Sequence, residues 1–235
     1  MISENEAGNA RDVAESITAL WEPLTEEQRQ YLVDNIEIRQ YQKNEVLYRE
    51  NDEPQYLMCL LEGKVKVYKD GAGGRNQIIR AINEKSLFGY RPAFVGENYH
   101  TGAAAIEQSR VCLMPIPTIK QLIKQNTRLA IFFIKQLATM LGEADALTVN
   151  LTQKHIRGRL AESLLTLRDK YGVEEDGSTL SIYLSREDLA NMSNMTTSNA
   201  IRTLSAFAQE KLIGLDGRKI KLIQAEELER ISQMG

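Results

Sequence analysis

Cysteine and histidine are scarce in this 235-residue chain, two of each, and there is one tryptophan. Cys59 and Cys112 each sit in an apolar run, MCLL and VCLM. Two thiols cannot build a disulfide framework, a four-cysteine zinc site or a four-cysteine iron–sulfur site. The pair reads as buried, reduced thiols. So few histidines leave little material for a Ser/His/Asp set, and no metal cluster or paired-carboxylate spacing stands out, so an enzyme is not expected. Long apolar runs are missing too: nothing nears the ~18 uninterrupted apolar residues of a membrane span. The opening MISENEAGNARDVAES has no basic segment followed by an apolar one. A soluble, cytoplasmic protein without membrane contact is expected. Excess positive charge is also absent, with 29 Lys+Arg against 32 Asp+Glu and a net charge of -3. That excludes coating nucleic acid by charge alone, but not a small DNA-reading surface. With 43% hydrophobic and 26% charged residues, a packed core is expected. The length suits one large domain or two modest ones.

Three textures follow one another. Thr25-Glu26-Glu27-Gln28 spells a capping box and leads into a helix through Tyr31, Leu32 and Ile36. From about Glu37 to Pro117 the chain breaks into short apolar runs: 45–48, 56–61, 64–68, 78–82 and 110–114. The run at 64–68 alternates as a half-buried strand should, and glycines supply the bends. This pattern predicts an antiparallel β barrel or roll. The cluster Asp70-Gly71-Ala72-Gly73-Gly74-Arg75 lacks the Gly-Lys-Ser/Thr ending of a phosphate loop and reads as a hairpin tip.

Near Thr127 a helical period begins. Ala130, Phe133, Leu137, Met140, Ala144, Leu147 and Leu151 are spaced alternately three and four apart, an a/d repeat. It predicts a dimeric coiled coil with Phe133, Leu137, Met140, Ala144, Leu147 and Leu151 in the seam. Ile131, Ile134 and Leu141 form a second apolar face, so one side serves the chain's own domain and the other a partner. Beyond it, the polar stretch 154–159 with its Gly158 marks a hinge or helix junction, an amphipathic helix runs to Tyr171, and 180–184 reads as a short strand.

Ser185-Arg186-Glu187-Asp188 opens a short helix, Ser193-Asn194-Met195 makes a tight turn, and Thr196 or Thr197 caps a second helix. Ala200, Ile201, Leu204 and Phe207 form its expected inward stripe. This is a helix-turn-helix pattern, and Thr197, Ser198, Arg202 and Ser205 face outward where hydroxyls and a guanidinium can reach base edges. Asp216-Gly217 then joins two alternating runs, a hairpin signal in the position of a wing. Arg218, Lys219 and Lys221 are its expected phosphate contacts, and Ser185 belongs to the same DNA-binding set. Residues 154–235 carry equal numbers of basic and acidic side chains, so the DNA case rests on a local patch.

The order of parts resembles the CRP/FNR family, the cyclic AMP receptor protein and its relatives. The resemblance is carried by LEGKVKVY (61–68), NEKSLFG (83–89), RGRLAESLLTL (157–167), LSREDLANMSNMTTSNAIRTL (184–204) and LIGLDGRKIKLI (212–223). It implies an α+β chain: an N-terminal β roll like a cyclic-nucleotide-binding jelly roll, a long dimerisation helix, and a C-terminal winged helix-turn-helix. The corresponding domains are 1–126, 127–154 and 155–235. It implies a homodimeric transcription regulator that binds a two-fold symmetric site on double-stranded DNA and contacts RNA polymerase, with an effector in each roll reorienting the DNA-binding domains.

The departures are specific. Cyclic-AMP-binding members carry Gly-Glu and Arg-Ser pairs in the roll; the aligned residues here are Gly89-Tyr90 and His100-Thr101. The ribose-binding carboxylate and the permanent cation are both missing. The candidate pocket comprises Gly89, Tyr90, Arg91, His100 and Thr101, with Ala144 and Asp145 from the long helix. Arg91 is placed to turn inward toward an anion, and Tyr90 and Tyr99 add bulk where a nucleotide would lie. Cyclic AMP is therefore not the expected effector, whose identity stays open. Haem is not expected either, His100 reading as a loop residue and His155 as a surface one. The cysteine count excludes an iron–sulfur cluster. Family members often read guanines with an Arg-Glu pair and an Arg four residues later; this chain has Thr197-Ser198 and Arg202. The rival reading is a ligand-sensing module acting through protein–protein contacts without specific DNA binding.

Overall fold

The computed structural model describes residues 4–70 and 76–234. The chain forms two compact units, Met1–Lys69 with Arg80–Gly142 and Asp70–Ile79 with Glu143–Gly235. The glycine-rich segment 71–75, where a hairpin tip is expected, lies outside the described residues.

The first unit opens with helices α1 (Glu4–Ser16), α2 (Thr18–Trp21) and α3 (Glu26–Val33). The capping box of α3 closes reciprocally: Gln28 N–H donates to Thr25 Oγ1 at 3.4 Å, and Thr25 N–H to Gln28 Oε1 at 3.1 Å. Eight strands follow: β1 (Glu37–Tyr41), β2 (Val46–Tyr48), β3 (Tyr56–Glu62), β4 (Val65–Asp70), β5 (Asn76–Ile82), β6 (Leu87–Phe88), β7 (Gly102–Ala105) and β8 (Ser109–Pro115). The short helix α4 (Arg91–Val95) sits between β6 and β7. Two four-stranded sheets result, ordered β1-β8-β3-β6 and β2-β7-β4-β5.

The continuous apolar run of β3 has a simple cause. Leu57 and Cys59 face a core shared with the helices, while Met58 and Leu60 face a second core between the sheets. Strand β8 does the same with Cys112 and Met114 on one side and Val111 and Leu113 on the other. Both strands are covered on both faces, so neither alternates. Cys59 lies directly opposite Cys112. Burial pushes the Cys112 thiol up to about 12 and the Cys59 thiol higher still, which keeps both protonated and inert.

Helix α5 (Ile116–Gln125) leads to the long α6 (Thr127–Gln153). Asn126 fastens the junction: its Oδ1 accepts from Leu129 N–H at 3.2 Å, and its Nδ2 donates to the Pro23 carbonyl and to Gln28 Oε1, each at 2.8 Å.

The second unit contains α7 (Ile156–Tyr171), α8 (Arg186–Met192), α9 (Thr197–Gln209), β9 (Ile213–Asp216), β10 (Lys219–Leu222) and α10 (Ala225–Met234). Helix α10 returns along α7, with Leu228 buried and Arg168 Nη1 3.1 Å from Glu229 Oε1. The helix junction expected in the stretch 154–159 falls at 154–155, and Gly158 lies buried in the first turn of α7. One expectation is corrected here. The segment 180–184 forms no strand: only isolated bridges occur, Val173 with Leu180 and Thr179 with Lys221.

Candidate nucleic-acid interface and roll pocket

Helix α8 is opened by Ser185, whose Oγ accepts from Asp188 N–H at 2.9 Å and donates to Asp188 Oδ2 at 2.8 Å. Its hydroxyl closes the cap of this helix. The turn is held from beneath: the buried Ser193 hydroxyl donates to Ser163 Oγ on α7 at 2.9 Å, and Met195 N–H donates to the Ala190 carbonyl at 3.0 Å. Asn194 takes the left-handed conformation at φ 49° that the reversal requires. Thr196, not Thr197, caps α9 by accepting from Asn199 N–H.

Ala200, Thr203, Leu204 and Phe207 are the buried face of α9. Ile201 is not among them. It is 47% exposed and shares the outward face with Thr197, Ser198, Arg202 and Ser205. The Arg202 guanidinium bonds Asn199 Oδ1, one turn back, which steadies it along the helix.

The hairpin forms as expected, with Lys219 opposite Asp216 and Gly217 at φ 55° in its turn. Arg218, Lys219 and Lys221 are exposed. The loop before α8 faces them with acids: Lys219 Nζ lies 3.7 Å from Glu174 Oε2, and Lys221 Nζ 3.2 Å from Asp176 Oδ2. Hydrogen bonds from the Thr179 amide and hydroxyl and the Ser178 amide, with Lys221 nearby, hold the Asp176 carboxyl well below its usual range. Arg186 is a residue the sequence did not single out. Its Nη2 donates to the Gly217 carbonyl at 2.7 Å, tying the start of α8 to the hairpin turn.

In the roll, the Tyr48 and Tyr99 rings stack with centroids 3.8 Å apart and planes 12° apart. Tyr99 is 3% exposed, and its hydroxyl has no hydrogen-bond partner among the described residues. Burial pushes the Tyr48 phenol up to about 12, opposed by its hydrogen bond with Thr101. Gly89 has φ +79°, and a Cβ there would stand 3.4 Å from the Tyr99 hydroxyl. A Cβ at Gly102 would lie 2.6 Å from Cζ of Tyr68, so that the end of that side chain would have to move. Tyr90 is buried, its ring 5.4 Å from both Phe94 and Phe133, with its hydroxyl 3.8 Å from Met140 Sδ.

His100 is corrected. It is exposed, its Nε2 2.7 Å from Glu97 Oε2, so it does not line the interior. Arg91 is also exposed, at the start of α4, rather than turned inward. Ala144 and Asp145 are exposed on α6.

Residues 38–126 match the model of the cyclic nucleotide-binding domain, and residues 158–231 that of the Crp-like helix-turn-helix domain. The chain belongs to the CRP/FNR family of transcription regulators. It is 24% identical over 198 residues to the global nitrogen regulator of a Nostoc species, covering 82% of this chain and 88% of that protein. Against the probable transcriptional regulator flp of Lacticaseibacillus casei it is 24% identical, covering 91% and 95%. The structure of FixK2 from Bradyrhizobium japonicum has the same fold, with TM-score 0.75 at 23% identity over 83% of this chain and 96% of that one. These relatives are transcription regulators, and the CRP/FNR helix-turn-helix is a DNA-binding module.

For a CRP/FNR member, the long helix holds a correction. Phe133 is 3% exposed, wedged against Tyr90, Phe94 and Phe132 of its own unit. Leu137 packs on the same core and Met140 is half-buried. At Phe133 and Leu137 the predicted seam therefore faces inward, whereas Ala144 farther along it is exposed. The open face is the second one: Ile131, Ile134 and Leu141 are 46%, 63% and 64% exposed. The side chains of Leu147 and Leu151 lie outside the described residues. No helix among the described residues is long and apolar enough to cross a membrane.

Proposed function

We propose that the chain acts as a homodimeric transcription regulator whose two winged helix-turn-helix domains read a two-fold symmetric site on double-stranded DNA. The observation that carries the reading is the outward face of α9, where Thr197, Ser198, Arg202 and Ser205 stand exposed over a packed inner face. Hydroxyls and a guanidinium in that array match the donors and acceptors of the major groove. Pairing runs through Ile131, Ile134 and Leu141 of α6, with Ala138 between them. Such a row has the 3-and-4 spacing of a coiled-coil seam, and a second copy offers the same row in return. RNA polymerase is the expected partner of the DNA-bound dimer, as the family resemblance implies.

The effector is not cyclic AMP. Its phosphate needs a buried cation and its ribose an acceptor. Tyr90 stands in place of the carboxylate, His100 is turned to Glu97, and the Tyr48–Tyr99 stack fills part of the roll. The same outward turn of His100 argues against a haem ligand, and two thiols opposite each other in the core supply too few ligands for an iron–sulfur cluster. The roll stays closed on its own tyrosines or takes a ligand without those needs.

Gel shifts against promoter fragments of its own genome test the function. Retention of particular fragments in the presence of random competitor supports it, and equal retention of all fragments overturns it. Titration calorimetry with cyclic AMP tests the roll: no heat is expected, and low-micromolar binding overturns that part.

A further inference from the structure

The outward face of α9 holds one residue that the hydrogen-bonding account of DNA reading does not use. Ile201 sits four residues after Thr197 and four before Ser205, so it lies in the middle of the exposed stripe and beside Arg202. It is 47% exposed. The inner face needs nothing from it, because Ala200, Thr203, Leu204 and Phe207 already close the packing. Its branched chain has no donor or acceptor. In the major groove, the feature such a side chain can recognise is the 5-methyl group of thymine, by apolar contact.

We propose that Ile201 is a specificity-determining residue that reads a thymine methyl, next to the base edge read by Arg202. The inference rests on the DNA-reading function proposed above and goes beyond it by naming the chemical group recognised. Four neighbours on the stripe present hydroxyls or a guanidinium, which satisfy base edges and phosphates, whereas Ile201 gains only where an apolar group meets it. A half-site with cytosine at that position lacks the methyl and leaves the isoleucine against a polar amino edge. Covering one methyl is worth about a fourfold change in affinity.

The test uses the full chain and a duplex enriched by it from a random pool. Each thymine of the half-site is replaced in turn by deoxyuridine, which removes the methyl and nothing else. Affinity is measured for the wild type and for Ile201→Ala, whose lost side chain is half-exposed and lies outside the core. At one thymine per half-site the wild type is expected to lose affinity about fourfold on the change to deoxyuridine, and Ile201→Ala to lose none there. The same substitutions should cost Arg202→Ala as much as the wild type. If the wild type tolerates deoxyuridine everywhere, or Ile201→Ala loses as much as wild type at every position, Ile201 does not read a methyl although the DNA-reading function stands. If the chain enriches no duplex at all, the function itself is overturned and the inference with it.

Discussion

At the scale of single residues, neighbours decide what a side chain does. Cys112 ordinarily titrates near 9.0, and burial raises it to about 12. Below pH ~9 folded and unfolded chains both hold the proton, so the group is neutral to stability. Above that the unfolded chain releases it while the folded chain keeps it. Stability therefore falls as pH rises from ~9 toward ~12, by up to about 1.4 kcal/mol per pH unit for each such group. Melting curves across that range should show the fall. Cys112→Ala should melt lower at neutral pH but with a shallower alkaline decline, and an unchanged slope would refute the assignment. Glu174 offers a functional counterpart, since its carboxylate stands beside wing Lys219. Glu174→Gln should tighten binding to duplexes of any sequence and steepen the salt dependence by up to about one, read by fluorescence anisotropy at several salt concentrations. Weaker or unchanged binding would mean that Lys219 does not approach phosphate. Ile201 shows where reading the sequence stops at this scale. It adjoins Ala200 and is apolar, so apolarity alone puts it inside; an apolar side chain that the packing leaves outside looks no different in the sequence.

At the scale of elements, periodicity made α6 legible but not its orientation. Two apolar stripes run side by side along it, and both obey the same spacing. The aromatic stripe belongs inside because Phe133 interlocks with Tyr90 and Phe94, residues distant in the chain. Strand β7 was hidden for a related reason. Its Gly-Ala-Ala-Ala has little strand propensity, yet all four residues are buried, and the Tyr68 ring over Gly102 accounts for the glycine at its start. The helix-turn-helix, by contrast, was readable because its caps and turn are local chemistry. The α6 assignment gives opposed expectations for adjacent residues. Ile134→Asp should leave a folded chain that sediments as a monomer. Phe133→Ala should lower stability by about 3–5 kcal/mol in denaturant unfolding, through a cavity in the chain's own core. A dimer that survives Ile134→Asp would return the seam to the stripe expected from the a/d repeat.

At the scale of the whole molecule, a net charge of -3 and balanced charge in residues 154–235 mean that attraction to DNA is not spread over the surface. In the proposed dimer specific reading comes from two copies of α9, with the wings as auxiliaries partly neutralised by Glu174 and Asp176. The order of roll, long helix and winged domain was legible because each has its own periodicity. The ring stack inside the roll was not, because it depends on Tyr48 and Tyr99 meeting across the fold. The most direct measurement is enrichment of duplexes from a random pool by the full chain, followed by sequencing. The account predicts an inverted repeat whose half-site centres lie about one helical turn, ~34–36 Å, or a multiple of it apart. A single unrepeated site, or a pool that emerges unchanged, would contradict it.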